Sequence, residues 1–455
     1  MTTPHHSQPL EIVSLFSGCG GLDLGFVRRG HKVIYACDSS KHAVACYRWN
    51  IGDHCVKRDV TSDEYTSDLG QLDTADVVLG GFPCQGFSKA GPKRQDDKRN
   101  LLYERMQSTV LTLKPKVFVA ENVDGIQQNF GGEFVRRVSS GFTDDSTCYK
   151  VHYQVLDAAH YGVPQHRRRA FFIGIRTDIE SSQGTSFHWP LNTHENRTRN
   201  GEFKVNHLPL FRAGRREQLG APVTVRDAIG DLTKLSARTP DHQVIKRWPS
   251  KYAHVFRAIG PGQKLCNVRH AETSIYTWHI PEAFGETTDV QRLILDTIGR
   301  YRRHKKYGSI PNGNPLPVDE IARLTDLSPD VVATESNILV VAGYLKPKLD
   351  GFDLKGAMFC SGLFKRPKWD EPGPTVLTNF HNPRYFLHPS ENRPLSLREC
   401  ARLQSFDDDF QFLAAGVSLV EGYRLVGNAV PPLLSGVIAQ AVDAVLLPMS
   451  KRQSA

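Results

Sequence analysis

The chain has 455 residues, of which 40% are hydrophobic and 23% are charged. This composition is that of a soluble globular protein, and the length predicts two or three domains with ample core. The formal net charge is +9, which suits a polyanionic partner but does not identify one, because many basic proteins bind no nucleic acid.

The nine cysteines are scattered along the chain, and no CxxC pair or paired Cys/His spacing indicates a zinc site. We therefore expect reduced thiols, a cytosolic protein and no metal. The first ten residues lack the apolar core of a signal sequence. No apolar run reaches the ~20 residues needed to span a bilayer, so we expect no membrane segment.

Residues 12–175 alternate strands and helices. A strand at 12–16 runs into the glycine turn 17–21, which opens a helix, and a second strand at 32–37 ends at Asp38. An acidic residue at a strand end, about twenty residues beyond a glycine turn, is the ribose-binding arrangement of nucleotide folds. The turn is not a strict GxGxxG, so the sequence does not support a nicotinamide nucleotide. A third strand is predicted at 55–60.

The apolar run at 75–79 predicts a buried parallel strand, and the loop 80–91 that follows contains Cys84. Pro83 restricts the backbone before this cysteine, and the surrounding glycines allow close approach of a ligand. Most cysteines are buried structural thiols. The rigid glycine-flanked loop favours a positioned nucleophile instead. A basic segment at 89–100 and an amphipathic helix at 101–113 follow.

A strand at 114–123 ends near Glu121, where partial desolvation should raise the pKa of the carboxyl group and favour its acid form. A carboxylate capping a following helix is the alternative. Parallel strands place Cys84 and Glu121 at one sheet edge, which favours a catalytic pair. Strands at 149–156 and 170–175 flank Gln165-His166-Arg167-Arg168-Arg169. Alternation along an extended chain would point Arg167 and Arg169 into the cleft.

The pattern changes after about residue 180, with proline-rich and basic stretches up to about residue 372. Basic and aromatic residues are interleaved around Arg302 and Arg303, which suits phosphate and groove contacts. Two helices are predicted at 318–327 and 329–342, with Ser328-Pro329 as a start signal. They are compatible with a winged helix-turn-helix or with a helical spacer, and we favour the spacer, since helix-turn-helix assignments from spacing alone often fail.

These motifs resemble, in order, those of the C5-cytosine DNA methyltransferase family. The resemblance covers roughly residues 12–175 and 366–445. It rests on the glycine turn, on Pro83-Cys84-Gln85, on Glu121-Asn122-Val123, on the arginine motif and on Gly427-Asn428 before Pro431-Pro432. Several independent motifs in one order are far more specific than any one of them.

The resemblance implies an α/β fold with a mixed, mostly parallel Rossmann-like sheet, helices on both faces and a smaller DNA-recognition domain. It implies Cys84, Glu121, Arg167 and Arg169 as catalytic residues. The cofactor is S-adenosylmethionine, with S-adenosylhomocysteine as product. Its implied binding residues are Phe16, Gly18, Gly20, Asp38, Ser39, Asp59, Val60, Pro83, Leu102, Asn428, Ala429 and Val430. Ser39 departs from the aromatic residue that the family often has there.

The expected activity is transfer of a methyl group to C5 of a flipped cytosine in a specific duplex sequence, through a covalent Cys84 adduct. A tRNA methyltransferase and a non-catalytic DNA-binding protein are the alternatives. The roughly two hundred residues before Trp369 favour DNA over RNA, because the RNA-methylating relatives have a short recognition region. We expect a catalytic domain at 10–185 and 415–455 and a recognition domain at 186–414, with a helical insertion near 290–365 for which a winged helix is the alternative. We also expect a monomer in the bacterial cytosol, bound to double-stranded DNA and functionally paired with a restriction endonuclease.

Overall fold

The computed structural model describes residues 8–82, 101–127, 133–142, 148–183, 186–195, 219–232, 234–235, 238–267, 270–310, 313–355 and 361–447. Pro83 and Cys84 lie outside these ranges. The strands are β1 (Glu11–Leu15), β2 (Lys32–Asp38), β3 (Cys55–Lys57), β4 (Val77–Gly80), β5 (Val117–Val123), β6 (Tyr149–Asp157), β7 (Arg168–Arg176), β8 (Lys264–Cys266), β9 (Ser274–Ile275), β10 (Leu316–Pro317), β11 (Leu345–Lys348), β12 (Gly351–Leu354) and β13 (Ser361–Leu363).

The α-helices are α1 (Gly21–Val27), α2 (Lys41–Asn50), α3 (Asp63–Leu69), α4 (Leu101–Leu113), α5 (Glu133–Ser140), α6 (Thr177–Gln183), α7 (Val225–Ile229), α8 (Tyr252–Ala258), α9 (Pro281–Phe284), α10 (Asp289–Tyr301), α11 (Val318–Thr325), α12 (Pro329–Val341), α13 (Leu397–Leu403), α14 (Leu419–Asn428) and α15 (Pro432–Leu446). Short 3₁₀ turns include Asp124–Gln127 after β5 and Ala158–Tyr161 after β6.

A seven-stranded sheet in the order β3-β2-β1-β4-β5-β7-β6 organises the first part of the chain. Its pairs are parallel from β3 to β5, and β7 is antiparallel to both β5 and β6. The predicted mixed, mostly parallel α/β sheet is therefore confirmed. The strand order reverses between β1 and β4, and open sheets of this kind bind ligands beyond the carboxyl ends of the strands at such a switch point.

Alternating side chains of the central strands enter two cores, one on each face of the sheet. Val117 and Val119 lie in one core with residues of α1, α2 and α15. Phe118 and Ala120 lie in the other with residues of α3 and α4. A strand covered on both faces must be apolar at successive positions, which is why β4 and β5 read as continuous apolar runs.

The chain separates into two compact units. The first comprises Met1–Gln243, Asp370–Asn379 and Ser396–Ala455, and the second comprises Val244–Trp369 and Phe380–Leu395. The division predicted at residue 186 therefore falls inside the first unit. Helix α7 belongs there because it packs against α13, and because Val225 N–H donates to the Glu371 carbonyl oxygen over 3.0 Å.

The second unit contains the order of elements of a winged helix, which the sequence left open beside the favoured helical spacer. Its elements follow the order α10, β10, α11, α12, β11 and β12, and the three strands form a sheet in the order β10-β12-β11. Helices α11 and α12 agree closely with the predicted ranges. The Ser328 hydroxyl caps α12 by accepting from Val331 N–H. Only the pairing of β10 with β12, a contact distant in sequence, distinguishes the two interpretations.

Arg302 is not positioned for the DNA contact predicted from the sequence. Its side chain is 6% exposed and forms an ion pair with the buried Asp353 over 2.8 Å. This pair joins the end of α10 to β12, and a buried guanidinium with a buried carboxylate partner is not available to a phosphate. The basic composition of this segment is thus partly structural.

One stretch of the described residues, Leu419–Leu446, is long and apolar enough to cross a membrane by length and composition alone. It comprises α14 and α15, and 61% of its most apolar window is buried within the protein. Core helices of soluble proteins meet the same criterion, so this stretch is weak evidence for a membrane segment. In α15, Leu434, Ile438 and Val442 belong to the core that covers one face of the sheet.

Candidate active site

The glycine turn after β1 leaves an open concave surface at the switch point of the sheet. Phe16, Gly18 and Gly20 all have positive φ angles, of 53°, 57° and 90°. A Cβ atom added at Gly18 would have no atom within 4 Å, whereas one at Gly20 would collide with Ile51. The turn is therefore packed on the Gly20 side and open on the Gly18 side, where a ligand has room to approach the main chain.

Asp38, at the end of β2, faces this turn. Gly18 N–H donates to its Oδ2 over 3.0 Å, and Ser40 N–H donates to its Oδ1 over 2.8 Å. The two bonds fix the carboxylate plane and leave further lone pairs for hydroxyl donors. Burial raises the pKa of Asp38, and the two N–H groups oppose that shift. Ser39 beside it is exposed.

Apolar residues predicted to line a cofactor site share one face of the sheet. Val60 is buried in the core cluster against which Phe16 and Leu102 pack, and the last two are only partly buried. Asp59, next to Val60, is exposed, and its Oδ1 accepts from the Thr61 amide and hydroxyl groups over 2.9 and 2.7 Å. These bonds lower the pKa of Asp59. The arrangement joins an apolar wall to two carboxylates at neighbouring strand ends.

Residues 427–430 lie against the glycine turn. A Cβ atom at Gly21 would be 2.3 Å from the Val430 carbonyl oxygen, and one at Gly25 would be 2.3 Å from the Gly436 nitrogen. Helix α1 therefore needs both glycines to approach α15. Gly427 and Asn428 are the last two residues of α14, and a short connection leads from them to Pro431-Pro432. Asn428 is exposed, Ala429 is half-buried and Val430 is buried.

Glu121 and Arg169 form an ion pair at the carboxyl end of β5. Arg169 Nε lies 2.9 Å from Glu121 Oε1, and the two side chains are 13% and 12% exposed. The antiparallel register of β5 with β7 places Val123 opposite Arg169, two residues from Glu121. Burial raises the pKa of Glu121, and the positive charges of Arg169 and Arg167 oppose the rise. The structure thus places a partly desolvated carboxyl group beside an arginine that can hold it in place.

The Glu121 carboxyl group also lies at the start of the loop that carries Cys84. A Cβ atom at Gly81 would be 3.4 Å from Glu121 Oε2. Asn122 is buried, and its Nδ2 donates to the Phe82 carbonyl oxygen over 3.1 Å. The described chain therefore enters the Cys84 loop directly beside Glu121. The placement of Cys84 itself is outside the described residues.

Arg167 does not point into a cleft, which corrects the prediction from alternation. Its side chain is fully buried, and its guanidinium donates to the carbonyl oxygens of Val376, Gly427 and Ala429 over 3.0, 2.9 and 2.9 Å. Burial lowers the pKa of Arg167 well below its ordinary value. Arg167 precedes β7, so the strand alternation that relates Arg169 to its neighbours does not extend to it. Arg168 is exposed, as expected.

Two buried glutamines extend this interaction. Gln165 accepts from Val376 N–H and donates to the Leu403 carbonyl oxygen and the Gln404 side chain. Gln404 in turn donates to the Val426 carbonyl oxygen over 2.6 Å. Together with Arg167 they hold residues 426–429 against the rest of the first unit. Gln165 belongs to the arginine motif, but no feature of the sequence predicted its contacts with Val376, Leu403 and Gln404.

A second group missed by sequence reasoning lies beneath the glycine turn. Asp23 is fully buried and accepts from the Ser14 hydroxyl over 2.8 Å and the Tyr47 hydroxyl over 2.7 Å. Burial raises the pKa of Asp23 to about 6, and the two hydroxyl donors oppose the shift. The only sequence signal was an acidic residue on an otherwise apolar helix. Within the described residues, no group of three or more His, Cys, Asp or Glu side chains is placed to hold a metal ion.

Comparison with known proteins gives relatives along the whole chain. The family model for C-5 cytosine-specific DNA methylase matches residues 10–444. The Type II methyltransferase M.AgeI of Thalassovita gelatinovora is 30% identical over 447 residues, which cover 96% of this chain and 100% of that protein. The Type II methyltransferase M.DdeI of Desulfomicrobium norvegicum is 29% identical, with 95% and 88% covered.

A solved structure supports the fold. A DNA modification methyltransferase encoded within an E. coli prophage aligns with a TM-score of 0.50 and 22% identity, covering 96% of this chain and 99% of the other. At that identity the likeness concerns the fold alone. The family match extends over nearly the whole chain. It includes the strands of the seven-stranded sheet and most of helix α15, which packs on that sheet. The chain belongs to the C-5 cytosine-specific DNA methylase family.

Proposed function

We propose that this chain transfers a methyl group from S-adenosylmethionine to C5 of a cytosine flipped out of a specific DNA duplex, through a covalent bond to Cys84. The observation that carries the proposal is the Glu121–Arg169 pair beside the start of the Cys84 loop. A carboxyl group with a raised pKa, beside the point where the chain enters the segment that carries a candidate thiol nucleophile, suits addition to a cytosine ring.

The residues at the switch point fit an adenosine-containing cofactor. The carboxylate of Asp38 is oriented by two main-chain N–H groups and suits ribose hydroxyls, and Asp59 suits the exocyclic amine of adenine. Phe16, Val60 and Leu102 supply an apolar wall, and the open side of Gly18 leaves space. When bound, S-adenosylmethionine supplies an electrophilic methyl group on sulfur. The remaining proposed contacts are those of Gly20, Ser39, Pro83, Asn428, Ala429 and Val430.

Cytosine C5 is a weak nucleophile until a thiolate adds to C6. Addition of Cys84 sulfur forms the S–C6 bond and pushes the electron pair toward ring nitrogen N3. Protonated Glu121 neutralises the negative charge at N3 as it develops. A free thiol with a pKa of ~8.5 is only a few per cent thiolate at neutral pH, so a positive environment favours the reaction. After C5 is methylated, water accepts the C5 proton, Cys84 leaves as thiolate and N3 returns its proton to Glu121, which restores the aromatic ring.

Arg169 is the arginine placed to act in this chemistry. It holds Glu121 over 2.9 Å and retains guanidinium donors for the carbonyl oxygen of the base or for a flanking phosphate. Arg167 acts at a distance, as a positioning residue that fixes the main chain at Gly427 and Ala429. We therefore assign the two arginines of the motif to different tasks.

The attack on C6 comes from above the ring face, which base stacking blocks in a duplex. The target base must leave the helix, at a cost of a few kcal/mol. We propose that the second unit, Val244–Trp369 with Phe380–Leu395, grips and reads the DNA.

The relatives named Type II methyltransferases suggest that a restriction endonuclease accompanies this enzyme in a bacterial cytosol. All the groups invoked for methyl transfer belong to one chain, so one chain suffices for chemistry.

The test is transfer of tritium-labelled methyl groups to duplex DNA and, in parallel, to tRNA. We expect incorporation into DNA alone, and bisulfite sequencing of DNA from expressing cells should reveal one recognition sequence. Cys84→Ser should abolish transfer and retain DNA binding. A 5-fluorocytosine duplex should trap the wild-type protein covalently, because fluorine at C5 prevents the elimination step. Methylation of tRNA, or transfer by Cys84→Ser at the wild-type rate, would refute the proposal.

A further inference from the structure

Two side chains at the end of α2 fill the space beneath the glycine turn. A Cβ atom added at Gly20 would be 2.2 Å from Ile51 Cδ1 and 3.0 Å from two ring carbons of Tyr47. Gly20 has a φ angle of 90° and directly precedes α1, and its carbonyl oxygen accepts from Leu24 N–H over 2.9 Å. The ring of Tyr47 therefore packs against the main chain at the point where the turn becomes a helix.

Hydrogen bonds hold Tyr47 in this place. Tyr47 is fully buried, and its hydroxyl donates to Asp23 Oδ2 over 2.7 Å. His54 Nε2 lies 3.1 Å from the same hydroxyl oxygen. Burial raises the pKa of Tyr47 far above its ordinary value, so the hydroxyl keeps its proton and remains a donor to Asp23. Asp23 belongs to the first turn of α1, and its other carboxyl oxygen accepts from Ser14 of β1 over 2.8 Å. The Tyr47 hydroxyl thus ties α2 to the helix that the glycine turn opens.

These contacts exceed what packing of the core requires. An apolar ring of the same size would fill the space beside Gly20 without placing a hydroxyl and a carboxyl group in the interior. A buried polar group costs free energy unless it is hydrogen-bonded, and a fully bonded buried network specifies one arrangement of the elements that it joins. Here the joined elements are β1, α1 and α2, and the glycine turn 17–21 connects the first two of them. The network is therefore placed to fix the path of the turn.

We propose that Tyr47 is a positioning residue for the cofactor, because its ring and its bond to Asp23 fix the glycine turn in the conformation that receives S-adenosylmethionine. This inference rests on the proposed function, which assigns the turn to that cofactor. Tyr47 is fully buried, so it acts through Gly20 and not by touching the ligand. Loss of the contact should weaken cofactor binding and leave Glu121 and Arg169 in place, since these two lie on other strands of the sheet.

Calorimetric titration of the full chain with S-adenosylmethionine and with S-adenosylhomocysteine tests the proposal. Tyr47→Phe keeps the ring and loses the hydroxyl, and it should raise both Kd values ~5-fold, which is the contribution of one hydrogen bond. Tyr47→Leu also removes the ring beside Gly20 and should raise both Kd values at least ~20-fold. The kcat of Tyr47→Phe at saturating cofactor should stay within about two-fold of the wild type, because the lost contact affects binding and not the chemical step.

Tyr149→Phe is the matched control. Tyr149 is another buried tyrosine of the first unit, and its hydroxyl donates to the Pro115 carbonyl oxygen over 2.6 Å. It lies in β6, which three strands separate from β1. Thermal unfolding should show a loss of stability in this variant, whereas its cofactor Kd should equal that of the wild type.

The outcomes separate this inference from the proposed function. A wild-type cofactor Kd in both Tyr47 variants overturns the inference and leaves the proposed function intact. The inference is also wrong if Tyr149→Phe raises the Kd as much as Tyr47→Phe does, or if kcat falls in Tyr47→Phe while the Kd does not change. A wild-type chain that binds neither S-adenosylmethionine nor S-adenosylhomocysteine overturns both.

Discussion

The buried Asp23 carboxyl group gives a quantitative prediction about stability. Asp23 is fully buried beneath the glycine turn, with Ser14 and Tyr47 as its hydroxyl partners. Its pKa rises from 3.8 to about 6 because burial disfavours the charged form. Asp23→Asn removes the ionisation while keeping a similar shape and a carbonyl acceptor.

The sign of the pH dependence follows from proton binding. Between pH 3.8 and about 6 the folded protein keeps the Asp23 proton and the unfolded chain loses it, so the stability of the wild-type protein falls as pH rises. A pKa difference of about two units corresponds to about 3 kcal/mol in total. This contribution is fully present below pH 4 and is lost above about pH 6. Asp23→Asn lacks this dependence.

Urea unfolding of both proteins at a series of pH values between 4 and 7.5 measures the effect. The free energy of unfolding of Asp23→Asn minus that of the wild type should increase by about 3 kcal/mol across this range, whatever constant offset the substitution adds. A difference that stays flat across this range would show that this carboxyl group does not keep its proton, and the reasoning from burial would be refuted.

The remaining predictions concern the catalytic edge of the sheet. Glu121→Gln should lower kcat by ~10²–10⁴-fold and change the cofactor Kd little, as measured by single-turnover kinetics and calorimetry; equal losses would give Glu121 a structural role. Arg169→Met should raise the pKa of Glu121 further, because it removes an opposing charge. In the pH–rate profile, the fall in activity caused by deprotonation of Glu121 should therefore occur at a higher pH than in the wild type. If the pH of this fall does not change, the assignment is contradicted. Arg167→Lys should lower the free energy of unfolding by about 2 kcal/mol, because an ammonium group cannot serve the three buried carbonyl oxygens as the guanidinium does. Wild-type stability in that variant would contradict the positioning role.

The sequence by itself determined most strands of the sheet and the strand ends at which the candidate functional residues lie. Strands β1, β2, β4 and β5 were found because buried parallel strands are continuous apolar runs, and the glycine turn and Asp38 were found because their spacing is set by one βαβ unit. Helix α12 was found through its start signal, Ser328-Pro329. These are local properties of the chain.

Only the tertiary structure decided which groups meet across long separations. Arg167 and Arg169 have the same chemistry and nearly the same position in sequence, yet one bonds carbonyl oxygens more than two hundred residues away and the other pairs with Glu121. Arg302 is buried in an ion pair with Asp353. The winged helix depends on the pairing of β10 with β12. Composition and periodicity describe which face of an element is apolar. They do not contain the partner that a buried polar side chain finds when distant segments pack together.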